Sequence, residues 1–213
     1  MKKVYVVGEA KHYADFINNI ELVDNITNAD IVVFTGGEDV DPSLYGAKKH
    51  PMTYSNLARD LYEKEMFEKV TPKQLVVSIC RGSQLICVLN GGKLAQHVTG
   101  HGIFHTHIIW NPQTMMSYDI TSTHHQMQYP YNLDTKDYTV LYKAYGNMSK
   151  DYEGDGIIKE LYWDKGEPEI VLYHKDNMPK CIAIQGHPEY MRKESPVVKM
   201  LNTLINDTLK TLA

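Results

Sequence analysis

Residues 75–82 have the sequence LVVSICRG, and this stretch decides the fold. The run from Leu75 to Ile79 is short, apolar and rich in β-branched side chains, which is typical of a strand buried within a sheet. After Cys80, apolar residues recur at helical spacing until Gly91 and Gly92 end the pattern. The sequence therefore predicts a strand and a helix joined by a sharp turn at Cys80.

Short apolar runs and amphipathic stretches also alternate along the rest of the chain. We predict further strands at 3–7, 31–34 and 180–185 and further helices at 56–70 and 196–212. The runs 138–142 and 170–173 are strand-like, but the sequence does not determine their order in a sheet. Such alternation predicts an α/β fold in which helices cover the faces of a sheet.

Length and composition limit the kind of protein. A chain of 213 residues suits a single domain over 1–213, and 43% hydrophobic with 23% charged residues is close to the globular average. A net charge of −4 without a block of lysine and arginine argues against nucleic acid as a partner. No stretch approaches the roughly 20 apolar residues of a membrane helix, so we expect no membrane partner.

The three cysteines indicate a reducing compartment. Cys80, Cys87 and Cys181 form an odd set without close C-x-x-C spacing, which favours neither a disulfide framework nor a zinc knuckle. We therefore expect free thiols and a cytoplasmic location.

The turn at Cys80 has the pattern of a nucleophile elbow. Ser78 and Gly82 place small side chains two residues before and two after the cysteine, as such a tight turn requires. A helix N-terminus also favours the thiolate form of the cysteine. An arbitrary cysteine is more often a buried structural residue, and the elbow context reverses that expectation.

A thiol nucleophile needs a general base, an orienting group and an oxyanion hole. His187, just past the 180–185 run, is the candidate base, and Glu189 is the candidate orienter of its ring. The amides of Gly37 and Arg81 are the candidate oxyanion donors, because glycine allows close approach and Arg81 follows the nucleophile. The glycine pair at 36–37 would be equally expected in an ordinary tight turn.

Four segments together resemble the class I glutamine amidotransferase superfamily, and most closely its γ-glutamyl hydrolase branch, peptidase family C26. These segments are 34–46, 59–63, 79–96 and 184–189. The resemblance implies a flavodoxin-like fold with a central, mostly parallel sheet flanked by helices. It also implies hydrolysis of a γ-glutamyl amide through a thioester on Cys80, without a cofactor.

A fifth segment, 122–126, resembles the S-x-H-x-Q stretch that lines the glutamyl pocket of that branch. The resemblance implies that Gln84 and the backbone around His124 and His125 bind the glutamyl part of a small-molecule substrate. Gly186 stands where an aromatic residue usually precedes the catalytic histidine. We expect this departure to widen the pocket or to loosen His187.

Histidines crowd the stretch from His97 to His107. His101, His105 and His107 have a spacing that would place them on one face of a strand, lining the pocket wall. We expect no catalytic metal. The thiolate already supplies the nucleophile and two backbone amides already stabilise the oxyanion, so the reaction does not require a Lewis acid. Zinc bound there would be adventitious.

Three functions stay open at this point. The chain could be a free-standing γ-glutamyl hydrolase, a glutaminase subunit that delivers ammonia to a separate synthetase partner, or a non-catalytic binding module on the same fold. The branch-specific segments favour the hydrolase. The sequence determines neither the leaving amine nor the oligomeric state.

Overall fold

The computed structural model describes residues 1–102, 105–154 and 165–212. Its helices are α1 (Leu57–Glu68), α2 (Arg81–Leu89) and α3 (Pro196–Lys210). Its strands are β1 (Lys2–Val6), β2 (Ile20–Leu22), β3 (Ile31–Phe34), β4 (Leu75–Ile79), β5 (Lys93–Ala95), β6 (His97–Val98), β7 (His105–Trp110), β8 (Ser117–Ser122), β9 (Met127–Tyr129), β10 (Tyr138–Ala144), β11 (Tyr152–Glu153), β12 (Pro168–Tyr173) and β13 (Cys181–Ile184).

Nine of these strands form one mixed sheet in the order β2-β1-β3-β4-β13-β12-β10-β7-β8. The strands from β2 to β13 pair in parallel. From β13 to β8 every pairing is antiparallel. Two small ladders pair β5 with β9 and β6 with β11.

The two faces of the sheet carry separate apolar cores because strand side chains alternate in direction. In β4, Val77 packs on the side of α3 with Leu201. Val76 packs on the opposite side, with Leu85 of α2 and Met66 of α1. Strands β3, β4 and β13 are buried on both faces, which explains why their sequences are continuous apolar runs.

The α/β class and the central sheet flanked by helices are confirmed. The predicted strands at 31–34 and 75–79 match β3 and β4, and the other predicted elements differ from the structure by a few residues at their ends. The antiparallel half of the sheet is built largely from the middle of the chain, whose strand order the sequence did not determine. In the described parts of the chain, no helix has both the length and the apolar character required to cross a membrane.

Candidate functional site

Cys80 lies between β4 and α2 in a backbone conformation that is rare for a residue other than glycine. Its φ is 51° and its ψ is −112°. The Cys80 N–H donates a 2.8 Å hydrogen bond to the Ile184 carbonyl oxygen, which ties the turn to β13. A Cβ at Gly82 would lie 2.5 Å from the Phe34 carbonyl oxygen, so the turn requires glycine there. The predicted elbow is thus present, and it requires a small residue two positions after the cysteine, as expected.

The strand next to β4 places His187 beside Cys80. β13 runs parallel to β4 with Ile184 opposite Ile79, so both chains leave the sheet at the same edge. His187 Nδ1 lies 2.7 Å from Glu189 Oε1, and both side chains are buried. The other ring nitrogen, Nε2, is buried without a hydrogen bond of standard geometry.

Two neighbours of His187 determine its charge. Burial lowers its pKa, but interactions with Cys80 and then with Glu189 outweigh this effect and raise the pKa to about 10. The ring therefore holds a proton at neutral pH when the sulfur beside it is ionised. This arrangement can support a thiolate–imidazolium pair.

Strand β8 holds the backbone of His187. The His187 N–H donates to the Thr121 carbonyl oxygen at 3.1 Å, and Thr121 Oγ1 donates to the His187 carbonyl oxygen at 2.5 Å. A Cβ at Gly186 would lie 2.7 Å from the Thr121 carbonyl oxygen and 2.8 Å from Ile120 Cδ1. The expectation that Gly186 widens the pocket or loosens His187 is therefore wrong, because β8 fills the space that an aromatic side chain would need.

A cavity of about 140 Å³ lies at Cys80. Its lining includes Gly37, Cys80, Arg81, Gln84, His124 and His125. The structure thus brings the predicted oxyanion and substrate-binding residues to one cavity with the nucleophile. Wider hollows of about 430 and 580 Å³ lie along α3, but none of the predicted site residues is among the described residues that line them.

The two pocket histidines have different protonation tendencies. A hydrogen bond to Asp39, 3.0 Å from Nε2, raises the pKa of His125. Burial and the neighbouring histidines lower the pKa of His124 well below its ordinary value. At neutral pH the cavity wall therefore combines a neutral imidazole with one that is more readily protonated.

A buried charge network connects the two loops that carry the candidate oxyanion amides. Arg81 pairs with both Asp60 and Glu63 of α1. Arg59 donates through Nε to Glu63 Oε1 at 2.8 Å and through Nη2 to the Gly36 carbonyl oxygen at 2.8 Å. Gly37 has a φ of 145°, and a Cβ there would collide with the Arg59 guanidinium. The network therefore fixes both loops relative to α1.

A family model described as Peptidase C26 matches residues 16–151. The chain belongs to this family. Among its relatives, Protein NtpR of Enterococcus hirae is 37% identical over 76 residues, which cover 35% of this chain and 32% of NtpR. The Lactococcus lactis protein YvdE, which bears a glutamine amidotransferase-like name, is 26% identical over 180 residues, which cover 80% of this chain and 72% of YvdE.

Solved structures support the same fold for this C26 chain. A glutamine amidotransferase of Thermotoga maritima superimposes with a TM-score of 0.57 over 99% of this chain and 90% of that one, at 12% sequence identity. At this identity the likeness concerns the fold alone.

Sequence reasoning missed two tyrosines of the candidate site. The Tyr190 ring stacks on His187 with centroids 4.8 Å apart and planes 6° apart. The Tyr13 ring centroid lies 6.4 Å from that of His187, and burial raises the pKa of Tyr13. Tyr190 follows Glu189 directly, so the sequence alone could have placed it near the site. Nothing in the local sequence marks Tyr13.

The histidine stretch is arranged differently from the prediction. His101 precedes β7, and His105 at the start of that strand is exposed. The predicted row of three on one strand face is therefore wrong. His101 and His107 nevertheless meet, with ring centroids 5.2 Å apart, whereas His97 lies in β6 beside the rings of His50 and His125.

Proposed function

We propose that the chain is a cysteine-dependent hydrolase of a γ-glutamyl amide bond. The observation that carries the proposal is Cys80, held in a strained strand-to-helix turn beside a buried His187–Glu189 pair. Membership of the C26 family and the glutamine amidotransferase-like relative support amide chemistry at a coarser level.

The first half of the reaction forms a thioester. The Cys80 thiolate attacks the γ-carbonyl carbon of the substrate, and its proton resides on His187. When the tetrahedral intermediate collapses, His187 gives this proton to the leaving nitrogen, and ammonia or an amine departs. Glu189 keeps the ring oriented and stabilises the imidazolium form.

The oxyanion requires two hydrogen-bond donors that are in place before the reaction. We assign these to the amides of Gly37 and Arg81, both of which line the cavity with Cys80. Arg81 is the first residue of α2, so its N–H has no partner within the helix. The buried side-chain network holds these two loops in a fixed relation.

The second half of the reaction hydrolyses the thioester. His187, now neutral, takes a proton from water while the water oxygen attacks the acyl carbon. The intermediate expels the Cys80 sulfur as a thiolate, and glutamate leaves with the water oxygen in a new carboxylic acid, which loses its proton to solvent. The thiolate–imidazolium pair is thereby restored.

The cavity suits a small acyl group. Its volume of about 140 Å³ is well below that of a typical drug-sized site. Gln84 Nε2 donates to the Gln126 carbonyl oxygen at 3.0 Å, which fixes the side chain at the cavity wall. We assign the substrate α-carboxylate to His125, whose pairing with Asp39 favours the protonated ring.

We further propose that residues 1–213 form one amidotransferase-like domain that works in the reducing cytoplasm. The supporting observation for the compartment is that Cys80, Cys87 and Cys181 are all free thiols.

A second candidate is a glutaminase subunit that passes ammonia to a synthetase partner. The glutamine amidotransferase-like name of YvdE favours it, since such enzymes use glutamine as substrate. A non-catalytic binding module is disfavoured, because such a module has no use for the strained backbone at Cys80.

Glutamate release by the purified protein tests these alternatives. The substrates are glutamine and a panel of γ-glutamyl amines, with Cys80→Ala as the matched inactive variant. Rapid release from one γ-glutamyl amine with little from glutamine supports the hydrolase. Release from glutamine alone supports the glutaminase subunit. Equal rates for the wild type and Cys80→Ala would refute thiol catalysis.

A further inference from the structure

A cluster of buried titratable side chains lies behind the substrate cavity and has no role in the thiol chemistry. It comprises His101, His107, His124, Glu167 and Glu169. His101, Glu167 and Glu169 are completely buried, and His124 and His107 keep only 2% and 8% of their exposure. His107 lies in β7 and Glu169 in β12, whereas Glu167 directly precedes β12, and His101 and His124 lie in the loops before β7 and after β8. Burial of so many polar groups is costly unless they are paired.

Three histidine nitrogens surround one carboxylate oxygen in this cluster. Glu169 Oε1 lies 2.9 Å from His107 Nε2, 3.5 Å from His101 Nδ1 and 4.0 Å from His124 Nε2. Donor atoms of His101, His107 and Glu169 all lie within 4.8 Å of one another. In a tetrahedral zinc site with bonds of about 2.1 Å, donor atoms lie roughly 3.4 Å apart, which is close to these distances.

Several of the converging atoms lack a hydrogen bond. His101 Nδ1, His124 Nε2 and Glu169 Oε2 are buried without a hydrogen-bond partner, and the 2.9 Å contact between His107 Nε2 and Glu169 Oε1 lacks standard hydrogen-bond geometry. Buried polar atoms are normally hydrogen-bonded, so several such atoms pointing at one place need a common partner. A cation would satisfy the nitrogen lone pairs and the carboxylate together.

Outer partners orient two of the histidines for this purpose. His101 Nε2 lies 3.1 Å from Glu167 Oε2, and His124 Nδ1 lies 2.9 Å from the Gln126 carbonyl oxygen. Each of these nitrogens therefore carries its proton outward and leaves the other nitrogen as a lone pair directed inward. Carboxylates and backbone carbonyls hold metal-binding histidines in this way.

Glu167 is itself held as an outer carboxylate. It accepts hydrogen bonds from the Tyr152 hydroxyl at 2.7 Å, from the Ser149 N–H at 2.8 Å and from the Met148 N–H at 2.9 Å. Glu167 is thus saturated by protein donors, whereas the Glu169 carboxylate makes no hydrogen bond of standard geometry. This contrast separates an orienting carboxylate from one available as a ligand.

We propose that His101, His107 and Glu169 bind one divalent transition-metal ion of the zinc class. Two imidazoles and one carboxylate suit such an ion better than magnesium or calcium, which prefer oxygen ligands alone. Three protein ligands leave one position of a tetrahedral shell for water. His124 Nε2, 4.0 Å from Glu169 Oε1, is a neighbour of this site. The Cys80 mechanism needs no step through the ion.

Zinc and cobalt binding by the purified full chain test the proposal. After dialysis against a chelator, the protein is titrated with Zn²⁺ in competition with a chromophoric chelator and, separately, with Co²⁺. We expect one Zn²⁺ per chain, a rise in melting temperature and the visible absorption bands of tetrahedral Co²⁺. If the wild-type protein binds neither Zn²⁺ nor Co²⁺ at one ion per chain, the proposal is wrong. This outcome does not depend on the folding of any variant.

Two variants locate the site. Glu169→Gln should weaken Zn²⁺ binding by at least about tenfold, since loss of even an outer partner has an effect of that size. His105→Asn changes the exposed histidine of the same stretch and should bind zinc as the wild type does. Circular dichroism of the apoproteins shows whether both variants are folded. Equal zinc affinities for two folded variants would mean adventitious surface binding and would refute the site.

Discussion

Thr121 and His187 are joined by two reciprocal hydrogen bonds. The His187 N–H donates to the Thr121 carbonyl oxygen at 3.1 Å, and the Thr121 hydroxyl donates to the His187 carbonyl oxygen at 2.5 Å. Thr121 lies on β8, which is an edge strand of the sheet, whereas His187 follows the central strand β13. The candidate base is therefore positioned by the antiparallel half of the sheet as well as by the parallel half.

Thr121→Val tests this positioning. Valine keeps the side-chain shape but removes the hydroxyl donor, so the His187 carbonyl loses its 2.5 Å hydrogen bond. We expect a loss of stability of about 0.5–1.5 kcal/mol and a larger proportional fall in kcat than in KM. Thr106→Val is the control, since Thr106 pairs opposite Thr121 on β7 and is exposed. Similar kinetics for the two variants would contradict the positioning role.

Cys80 should be the one readily alkylated thiol. Burial raises the pKa of Cys87 to about 12 and that of Cys181 well above its ordinary value, and both are completely buried. Cys80 keeps 8% of its exposure, and it lines the cavity. Treatment with iodoacetamide at pH 7 followed by peptide mass spectrometry should show label at Cys80 first. Label at Cys181 before Cys80 would contradict the assignment.

His187→Ala and Glu189→Gln should differ in severity. Without His187 neither thiolate formation nor protonation of the leaving nitrogen has a base, so kcat should fall by several orders of magnitude. Glutamine at 189 can still accept a hydrogen bond from Nδ1 but stabilises imidazolium less, so its effect should be milder. Single-turnover glutamate release measures both. Small and equal losses would point to another base.

The pKa of His187 should depend on the sulfur of Cys80. In the wild type, NMR titration of the ring should give a midpoint near 10, because Cys80 and Glu189 together outweigh burial. The stabilisation from this proton is complete below the unfolded pKa of about 6.5 and is lost as pH rises through the folded value. Cys80→Ala should lower the midpoint by more than about one unit, since Cys80 is the larger favourable contribution. A wild-type midpoint near 6.5 would refute the ion pair.

Arg81→Met should lower the free energy of unfolding because it removes the guanidinium. The backbone N–H that serves as a candidate oxyanion donor is retained. Loss of the Arg81 side chain leaves Asp60 buried without a guanidinium partner and Glu63 paired with Arg59 alone, for which the expected loss is about 3–5 kcal/mol. The exposed Lys69–Glu65 pair offers a control, and Lys69→Met should leave urea unfolding unchanged. Equal urea midpoints for wild type and Arg81→Met would show that the network contributes nothing.

The sequence predicted those parts of the fold that depend on local chemistry. The elbow at Cys80 was predictable because small flanking residues and a change from strand to helix period are local signals. The order of the strands from β7 to β12 was not, because the antiparallel pairings of β10 with β7 and β12 join residues about thirty positions apart. The closure of the space at Gly186 depends on Ile120 and Thr121, so it could not be deduced from residue 186 alone.

The buried histidines also show that local spacing does not predict contacts with residues distant in the chain. Their spacing suggested one strand face, but the decisive partner, Glu169, enters from β12 more than sixty residues later. Within the candidate thiol site, the order of nucleophile, base and orienter was visible in the sequence. The charge network around Arg81 was not predicted, because the segment 59–63 was identified only as part of the family resemblance and Arg81 only through its backbone amide.

The parallel pairing of β4 with β13 has a consequence for the nascent chain. Cys80 leaves the ribosome more than one hundred residues before His187, and β13, which positions His187, is the last described strand to be synthesised. Until then, the elbow has neither its base nor the Ile184 carbonyl that accepts its N–H. Cys80 and His187 therefore cannot meet before β13 has been made, and the unfinished polypeptide carries the thiol without its base.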